Sequence, residues 1–228
     1  MGKVLFDFDG TIAHRPGMWS QCLVDALDNL TPGHGIDAAD FRPHLQDGFP
    51  WDRPDEAHLH LSTSEMWWAS VEPLFARAFV AVGIDHEIVP TAAAAVREHY
   101  CNAAGFELFP DSLRALTVLK ESGWTLAILS NHVPELLSLV EHLGLGPLIE
   151  EVFSSALIGY EKPNPEAFRI ALNGARPSDC FMVGDNPRAD VLGAEVVGLR
   201  AILVRNHNGS ALHAAADLDG AAALILAS

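Results

Sequence analysis

Short apolar runs alternate with amphipathic stretches along most of the chain. Apolar runs of this length are typical of strands that are buried on both faces of a parallel sheet. They predict five strands, at residues 4–8, 124–131, 151–155, 180–185 and 200–204. A further short apolar run at residues 222–226 predicts an additional edge strand.

Helical patterns lie between the predicted strands. They cover residues 110–123, 134–146, 164–175 and 188–198, and most end at or beside a glycine. Such start and stop residues are typical of helices that cover a sheet. Strands that alternate with helices predict an α/β fold, in which a Rossmann-like parallel sheet is the middle of three layers.

The region 16–104 breaks this alternation. It contains three helical patterns, at residues 19–30, 63–83 and 92–104, around an irregular stretch at 43–60, and it has no convincing buried strand. We therefore expect a helical insertion, residues 16–104, that follows the first strand. Residues 1–15 and 105–228 would then form the core domain.

Composition and charge narrow the classes of partner. The 228 residues are 49% hydrophobic and 19% charged, with a net charge of −16. An acidic surface argues against nucleic acid and against anionic membranes. No apolar run reaches membrane-spanning length and the three cysteines form no C-x-x-C pair, so we expect a cytoplasmic protein without disulfides. The oligomeric state, monomer or homodimer, is open at this point.

Polar residues gather where the predicted strands end. In an open parallel sheet, ligands bind just beyond the carboxyl ends of the strands. The candidates at these ends and in the adjoining loops are Asp7, Asp9, Ser130, Asn131, Lys162, Asp185 and Asp190.

Several carboxylates at one edge of a sheet repel one another, and a hard divalent cation relieves this repulsion. Mg²⁺ prefers oxygen ligands, commonly one or two carboxylates with water and a substrate phosphate. Asp7 and Asp185 are the best direct ligands, and Asp9 could add its backbone carbonyl. Asp190 lies about one helical turn into the next element, which suits a supporting position behind the ligands.

The remaining groups suit an anion. Lys162 supplies a cation, Ser130 and Asn131 supply neutral donors, and Gly10 permits close approach of the backbone. A carboxylate surrounded by a metal, a lysine and neutral donors is typical of phosphoryl transfer. In this interpretation Asp7 attacks phosphorus to form an aspartyl-phosphate, and Asp9 moves protons.

Four segments in order resemble the motifs of the haloacid dehalogenase superfamily. They are DFDGT at 7–11, LSN at 129–131, EKPNP at 161–165 and GDNPRAD at 184–190. The resemblance implies that Asp7 is the nucleophile and Asp9 the general acid and base. It also implies phosphate binding by Ser130 and Lys162. Gly10, Thr11 and Asn131 lie in the same motifs and are counted among the substrate- and phosphate-binding candidates.

The resemblance further implies that Asp7, Asp9 and Asp185 hold Mg²⁺. The helical insertion is similar to the family's cap of the first type, which closes over the site and selects the substrate. The dehalogenase branch of the family lacks the second aspartate of the first motif. Because Asp9 is present, we expect a Mg²⁺-dependent phosphatase of a small phosphorylated metabolite.

Three other functions stay open. They are a phosphomutase of the β-phosphoglucomutase type, a 2-haloacid dehalogenase-like hydrolase and a non-catalytic binding module.

Residues around and within the insertion give weaker indications. Aromatic residues at helical spacing are more often core than pocket, which favours a packing role for Trp51, Trp67 and Trp68. Arg53 is a candidate specificity residue. His58 and His60 lack a third nearby ligand for zinc. The remaining candidates are His14 and Arg15, expected beside the link to the insertion, and His132, expected to face the site.

Overall fold

The computed structural model describes residues 2–206 and 211–228. Its strands, in chain order, are β1 (Lys3–Phe6), β2 (Ala13–His14), β3 (Glu107–Leu108), β4 (Thr125–Ser130), β5 (Glu151–Ser154), β6 (Phe181–Gly184), β7 (Arg200–Val204) and β8 (Ala214–Ala215). Six of them form a parallel sheet in the order β5-β4-β1-β6-β7-β8. The predicted α/β fold and its five strands are confirmed, each within one or two residues at its ends.

The register of the central strands sets the position of the candidate site. β1 is buried along its whole length and lies between β4 and β6. Phe6 pairs with Ile128 on one side and with Val183 on the other. The strands β1, β4 and β6 run in the same direction, so the residues that follow them meet at one edge of the sheet.

Helices flank the sheet and build the insertion. They are α1 (Met18–Leu30), α2 (Ala38–Phe41), α3 (Ser64–Ala81), α4 (Val89–Cys101), α5 (Ser112–Glu121), α6 (Leu136–His142), α7 (Ser155–Ile158), α8 (Pro165–Leu172), α9 (Gly193–Val196) and α10 (Leu218–Leu226). A π-helical turn at Pro187–Leu192 leads directly into α9. None of the helices in the described residues is long and apolar enough to cross a membrane.

The predicted edge strand at 222–226 is wrong, because these residues lie in α10. Asp217 caps the helix by accepting a hydrogen bond from the backbone N–H of Gly220 at 2.9 Å. The run is rich in alanine, which favours a helix, and α10 buries one apolar face that includes Ile225. The edge strand beside β7 is instead β8, a two-residue element.

Helix α4 packs against both α1 and α3, and these three helices form the bulk of the insertion. Their shared interior is aromatic, and Trp19 is at its centre. The indole of Trp19 stacks on the ring of Tyr100 with centroids 3.8 Å apart and planes 6° apart, and it also contacts Trp67 and Phe75. The three helices predicted for this region are confirmed.

A small antiparallel ribbon joins the insertion to the rest of the chain. Ala13 pairs with Leu108 and His14 pairs with Glu107, so both connections pass through β2 and β3. The buried side chain of Arg15 donates hydrogen bonds to the backbone carbonyls of His99 and Asn102 at the end of α4. His14 and Arg15 therefore lie at this link, as expected. The ribbon itself was not predicted, because a two-residue strand has no periodicity to detect.

Candidate active site

Asp7 lies at the centre of the candidate site, directly after β1. Its backbone N–H donates to the carbonyl of Val183 at 2.9 Å, which fixes it against β6. Its Oδ1 accepts hydrogen bonds from the Ser130 hydroxyl at 2.7 Å and from the Lys162 ammonium at 2.8 Å. Both donors hold the same oxygen, and no hydrogen bond to Oδ2 occurs in the part of the chain that the structure describes.

Lys162 is held by a second carboxylate. Its Nζ lies 2.6 Å from Oδ1 of Asp190, and both residues are buried. The other oxygen of Asp190 accepts from the backbone N–H of Asn186 at 3.0 Å, within the loop that leads into the π-helical turn. Asp190 thus supports Lys162 from behind. Burial alone lowers the pKa of Lys162, but Asp190 and Asp7 reverse this effect, so its pKa is raised and the ammonium stays charged.

Asn131 holds the segment around Lys162 in place. Its side-chain amide donates to the backbone carbonyl of Lys162 at 2.9 Å and accepts from the backbone N–H at 2.7 Å. This two-point contact connects the end of β4 to the loop before α8. The amide of Asn131, which the sequence suggested as a donor to the anion, is therefore already engaged with the backbone.

Three carboxylates could hold a cation. Asp7, Asp185 and Asp190 each offer an oxygen, and these atoms lie within 4.8 Å of one another. Burial, and then the charge of Asp7, raise the pKa of Asp185 to about 6. The side chain of Asp9 does not belong to this cluster.

Gly10 borders the acidic cluster. Its φ is +79°, and a Cβ at this position would lie 2.5 Å from Oδ2 of Asp185. Only glycine fits this conformation and this contact without displacing the carboxylate. By contrast, the Thr11 hydroxyl is fully buried and has no hydrogen-bond partner within the described ranges. Neither residue lines the cavity above this edge of the sheet.

Asp9 faces a different set of groups from Asp7. Its Oδ2 accepts a hydrogen bond from the Tyr100 hydroxyl at 3.4 Å and lies 3.4 Å from Nε2 of His132. Its Oδ1 is buried without a partner in the described structure. Burial, and then the charge of Asp7, raise the pKa of Asp9 to about 7.

His132 is fully buried beside Phe8, with ring centroids 5.4 Å apart. Burial lowers its pKa to about 4, so its ring is neutral near pH 7. His132 was expected to face the site: its Nε2 contacts Asp9, but the residue does not line the cavity.

A cavity of about 1220 Å³ opens above these residues. Its floor is the carboxyl edge of the sheet, and its roof is the loop at 45–56 with parts of α1 and α4. The core residues at the floor include Asp7, Asp9, Ser130, Asn131, Lys162 and Asp185. The structure therefore brings together the candidates that the sequence placed at four separate strand ends and loops.

The residues of the insertion divide into two groups. Trp51 and Arg53 line the cavity, whereas Trp67 and Trp68 are buried away from it. The indole N–H of Trp68 donates to the carboxylate of Glu135, which ties α3 to the segment before α6.

Of the two histidines of the irregular stretch, His58 is buried and His60 is exposed. The backbone N–H of His58 donates to the Gly159 carbonyl at 2.7 Å. His58 and His60 belong to no cluster of three metal-ligating side chains among residues 2–206 and 211–228.

Sequence reasoning missed Tyr100 and the aromatic loop residue Phe49, which both line the cavity. Tyr100 lies on an amphipathic helix among apolar residues, where a tyrosine is typical of the core. Phe49 stacks on Trp51 with centroids 4.6 Å apart. Pro50, between these two aromatics, indicates a turn, but it does not indicate which way the rings point.

Known proteins match this fold and this sequence. The chain matches the haloacid dehalogenase-like hydrolase family over residues 3–198. It is 38% identical over 102 residues to a phosphoserine phosphatase of Thermus thermophilus, a match that covers 43% of this chain and 41% of the relative. It is 36% identical over 101 residues to a glyceraldehyde 3-phosphate phosphatase of Methanothermobacter thermautotrophicus, covering 43% and 45% of the two chains. The matches span less than half the length of these two relatives.

Solved structures agree on the fold over the whole chain. The HAD-hydrolase YfnB of Bacillus subtilis, bound to magnesium, superposes with a TM-score of 0.77 at 17% identity and covers 99% of this chain and 98% of its own. A 2-haloacid dehalogenase of Pseudomonas syringae superposes with a TM-score of 0.69 at 23% identity, covering 100% and 99%. The parallel sheet flanked by helices defines a Rossmann-like α/β architecture. The family match identifies the chain as a member of the haloacid dehalogenase-like hydrolase family.

Proposed function

We propose that this chain is a Mg²⁺-dependent phosphatase that hydrolyses a small phosphorylated metabolite through an aspartyl-phosphate. One arrangement supports the proposal most: Asp7 at the floor of the cavity, with one oxygen held by Ser130 and Lys162. Asp9 lies two residues further along the chain. Phosphatases among the relatives of this chain act on similar small phosphate esters, as their names state.

In the first step Asp7 would act as the nucleophile. Its Oδ1 is occupied by two donors, so Oδ2 is the oxygen that attacks phosphorus. The bond between phosphorus and the ester oxygen breaks, and Asp9 in its protonated form gives its proton to the leaving oxygen. Lys162 neutralises charge on the phosphoryl oxygens, and Ser130 helps to orient them.

In the second step water would release the phosphate. Asp9, now a carboxylate, accepts a proton from the water as its oxygen attacks phosphorus. The bond between phosphorus and Asp7 Oδ2 breaks, and inorganic phosphate leaves. The protonated Asp9 is then ready for the next substrate.

The acidic cluster fits a magnesium ion. Its donors are hard carboxylate oxygens, and those of Asp7 and Asp185 lie within 4.8 Å of each other. We assign Asp7 and Asp185 as carboxylate ligands and the backbone carbonyl of Asp9 as a third. Asp190 supports Lys162, since both of its oxygens are already engaged. When bound, the ion would neutralise phosphoryl charge during transfer.

The insertion at 16–104 would act as the cap. Its loop at 45–56 roofs the cavity, so Trp51 and Arg53 are the residues that we expect to select the substrate. The volume suits a metabolite rather than a macromolecule. We place the enzyme in the cytoplasm, with residues 1–15 and 105–228 as its catalytic core.

The decisive experiment compares Asp7→Asn with Asp85→Asn in a screen of phosphate esters with MgCl₂. Asp85 is exposed on the insertion and does not line the cavity, so it provides a matched change of charge. We expect loss of turnover in the first variant only, with both variants folded by circular dichroism. Full activity of Asp7→Asn would overturn the mechanism, and chelation by EDTA should stop the wild type.

The same screen separates the alternatives. A phosphomutase would convert glucose 1-phosphate into its isomer with little free phosphate. A dehalogenase would release halide from 2-haloacids without metal. Turnover of none of these substrates would leave a binding module as the remaining function.

A further inference from the structure

The carboxyl of Asp9 touches a side chain from the insertion as well as one from the core. The Tyr100 hydroxyl on α4 donates to Oδ2 of Asp9 at 3.4 Å. His132, from the loop after β4, approaches the same oxygen at 3.4 Å, and its Nε2 lies 3.5 Å from the Tyr100 hydroxyl. Two side chains that are distant in sequence, from each other and from Asp9, thus converge on one oxygen of its carboxylate.

The ring of Tyr100 is firmly held. Trp19 stacks on one face at 3.8 Å, and Phe106 packs edge-on at 5.8 Å. The guanidinium of Arg15 lies 5.8 Å from the centroid of the ring. Because the tyrosine is 2% exposed, its hydroxyl has little freedom to leave Asp9.

The two oxygens of Asp9 have unequal surroundings. Oδ1 is buried without a partner in the described ranges, whereas about a fifth of the Asp9 side chain is exposed, so this exposure belongs to the Oδ2 side. A carboxyl group rotates readily about its last bond, since that torsion is broad. A hydrogen bond to Oδ2 limits this rotation and keeps the same oxygen toward the cavity.

We infer that Tyr100 is a positioning residue, carried by the insertion, that aims Oδ2 of Asp9 at the leaving oxygen of the substrate. The inference rests on the proposed phosphatase function and extends it. Since Tyr100 belongs to α4 and Asp9 follows β1, the contact requires the insertion to be seated on the core. Asp9, the proton donor, is therefore correctly oriented only when the insertion is packed on the core. The proton is delivered only in this closed arrangement.

The test uses two substrates that differ in their need for a proton. The leaving group of an alkyl phosphate such as glycerol 1-phosphate is an alkoxide, which is poor unless it is protonated, whereas the p-nitrophenolate of p-nitrophenyl phosphate leaves without a proton. For Tyr100→Phe we expect kcat with the alkyl ester to fall about tenfold, roughly the effect of one lost hydrogen bond. With p-nitrophenyl phosphate kcat should change less than about twofold, and KM should stay constant for both.

Two further variants complete the design. Tyr160→Phe is the matched control, because the chain has only two tyrosines and Tyr160 does not line the cavity. Trp19→Phe loosens the stack on Tyr100 and should cause a smaller loss, again larger for the alkyl ester. Melting temperatures of all variants report whether they fold.

Each result decides the question. An equal loss with both esters, a change confined to KM, or no loss at all in folded Tyr100→Phe would overturn the positioning role. If Tyr100→Phe does not fold, Trp19→Phe decides by the same comparison. Wild-type protein that hydrolyses neither these two esters nor any other ester of the phosphate screen would overturn the proposed phosphatase function itself, and the inference with it.

Discussion

Glu161 is a fully buried carboxyl group beside Lys162, and replacing it by glutamine should change how stability depends on pH. Neither of its side-chain oxygens meets a hydrogen-bond donor with good geometry in the described residues. Burial raises the pKa of Glu161 to about 7, and the nearby Ser155 hydroxyl and the charge of Lys162 offset this only in part. The folded protein therefore favours the neutral acid.

The magnitude follows from the two pKa values. In the unfolded chain the ordinary pKa is 4.5, so between 4.5 and about 7 the unfolded state loses a proton that the folded state keeps. The stabilising effect of this raised pKa is complete below pH 4.5 and is lost as the pH rises to about 7. Between pH 5 and pH 8 the free energy of unfolding should fall by about 2.5 kcal/mol from this group.

Glutamine cannot ionise, so Glu161→Gln should lack this component of the pH dependence. Urea unfolding followed by circular dichroism at pH 5, 6, 7 and 8 measures it, with the difference between variant and wild type as the readout. The unpaired amide of Gln imposes its own cost, which is the same at every pH. The difference should therefore shift in favour of the variant by about 2.5 kcal/mol as the pH rises.

Glu121→Gln is the control, because Glu121 is exposed at the end of α5. The free energy of unfolding of Glu121→Gln should differ from that of the wild type by the same amount at each pH. A constant difference for Glu161→Gln as well would refute the reasoning, since it would mean that Glu161 is ionised in the folded protein.

Two further predictions concern Gly10 and Asp111. Gly10→Ala should lower kcat at least about a hundredfold while the fold persists, because its Cβ would displace the Asp185 carboxylate; near-normal Mg²⁺-dependent kinetics would contradict this. Asp111 accepts two hydrogen bonds from Arg205 at 2.8 Å and one from the Leu218 N–H at 2.6 Å, so Asp111→Ala should lower the free energy of unfolding by about 3–5 kcal/mol in urea. Asp219→Ala, which removes an exposed ion pair with Arg114, is its control and should leave the urea midpoint unchanged.

The sequence predicted the sheet and the floor of the candidate site because both depend on local patterns. A buried parallel strand needs a continuous apolar run, and polar residues directly after such a run must lie at the carboxyl edge. Asp7, Ser130 and Asp185 were found in this way. The helix at 222–226 was misread because a short run of alanine, leucine and isoleucine fits a buried strand as well as a buried helix face.

The roof of the cavity could not be predicted. Trp51 and Trp67 are both tryptophans of the insertion, yet one lines the cavity and the other is buried core. Their positions depend on how α1, α3 and α4 pack, and this is a tertiary property. Tyr100 shows the same limit, since an apolar helix face gives no indication that one hydroxyl reaches Asp9.

The ribbon of β2 and β3 brings the two ends of the insertion together. Ala13 and Leu108 are paired neighbours, so the chain leaves and re-enters the core at nearly the same point. The sheet therefore tolerates insertions of different lengths at this point, since lengthening a segment between fixed ends adds little to the entropic cost of closing it. A different insertion can therefore be joined at the same point and change the residues that recognise a substrate, provided that it also supplies a hydroxyl to Asp9 as Tyr100 does.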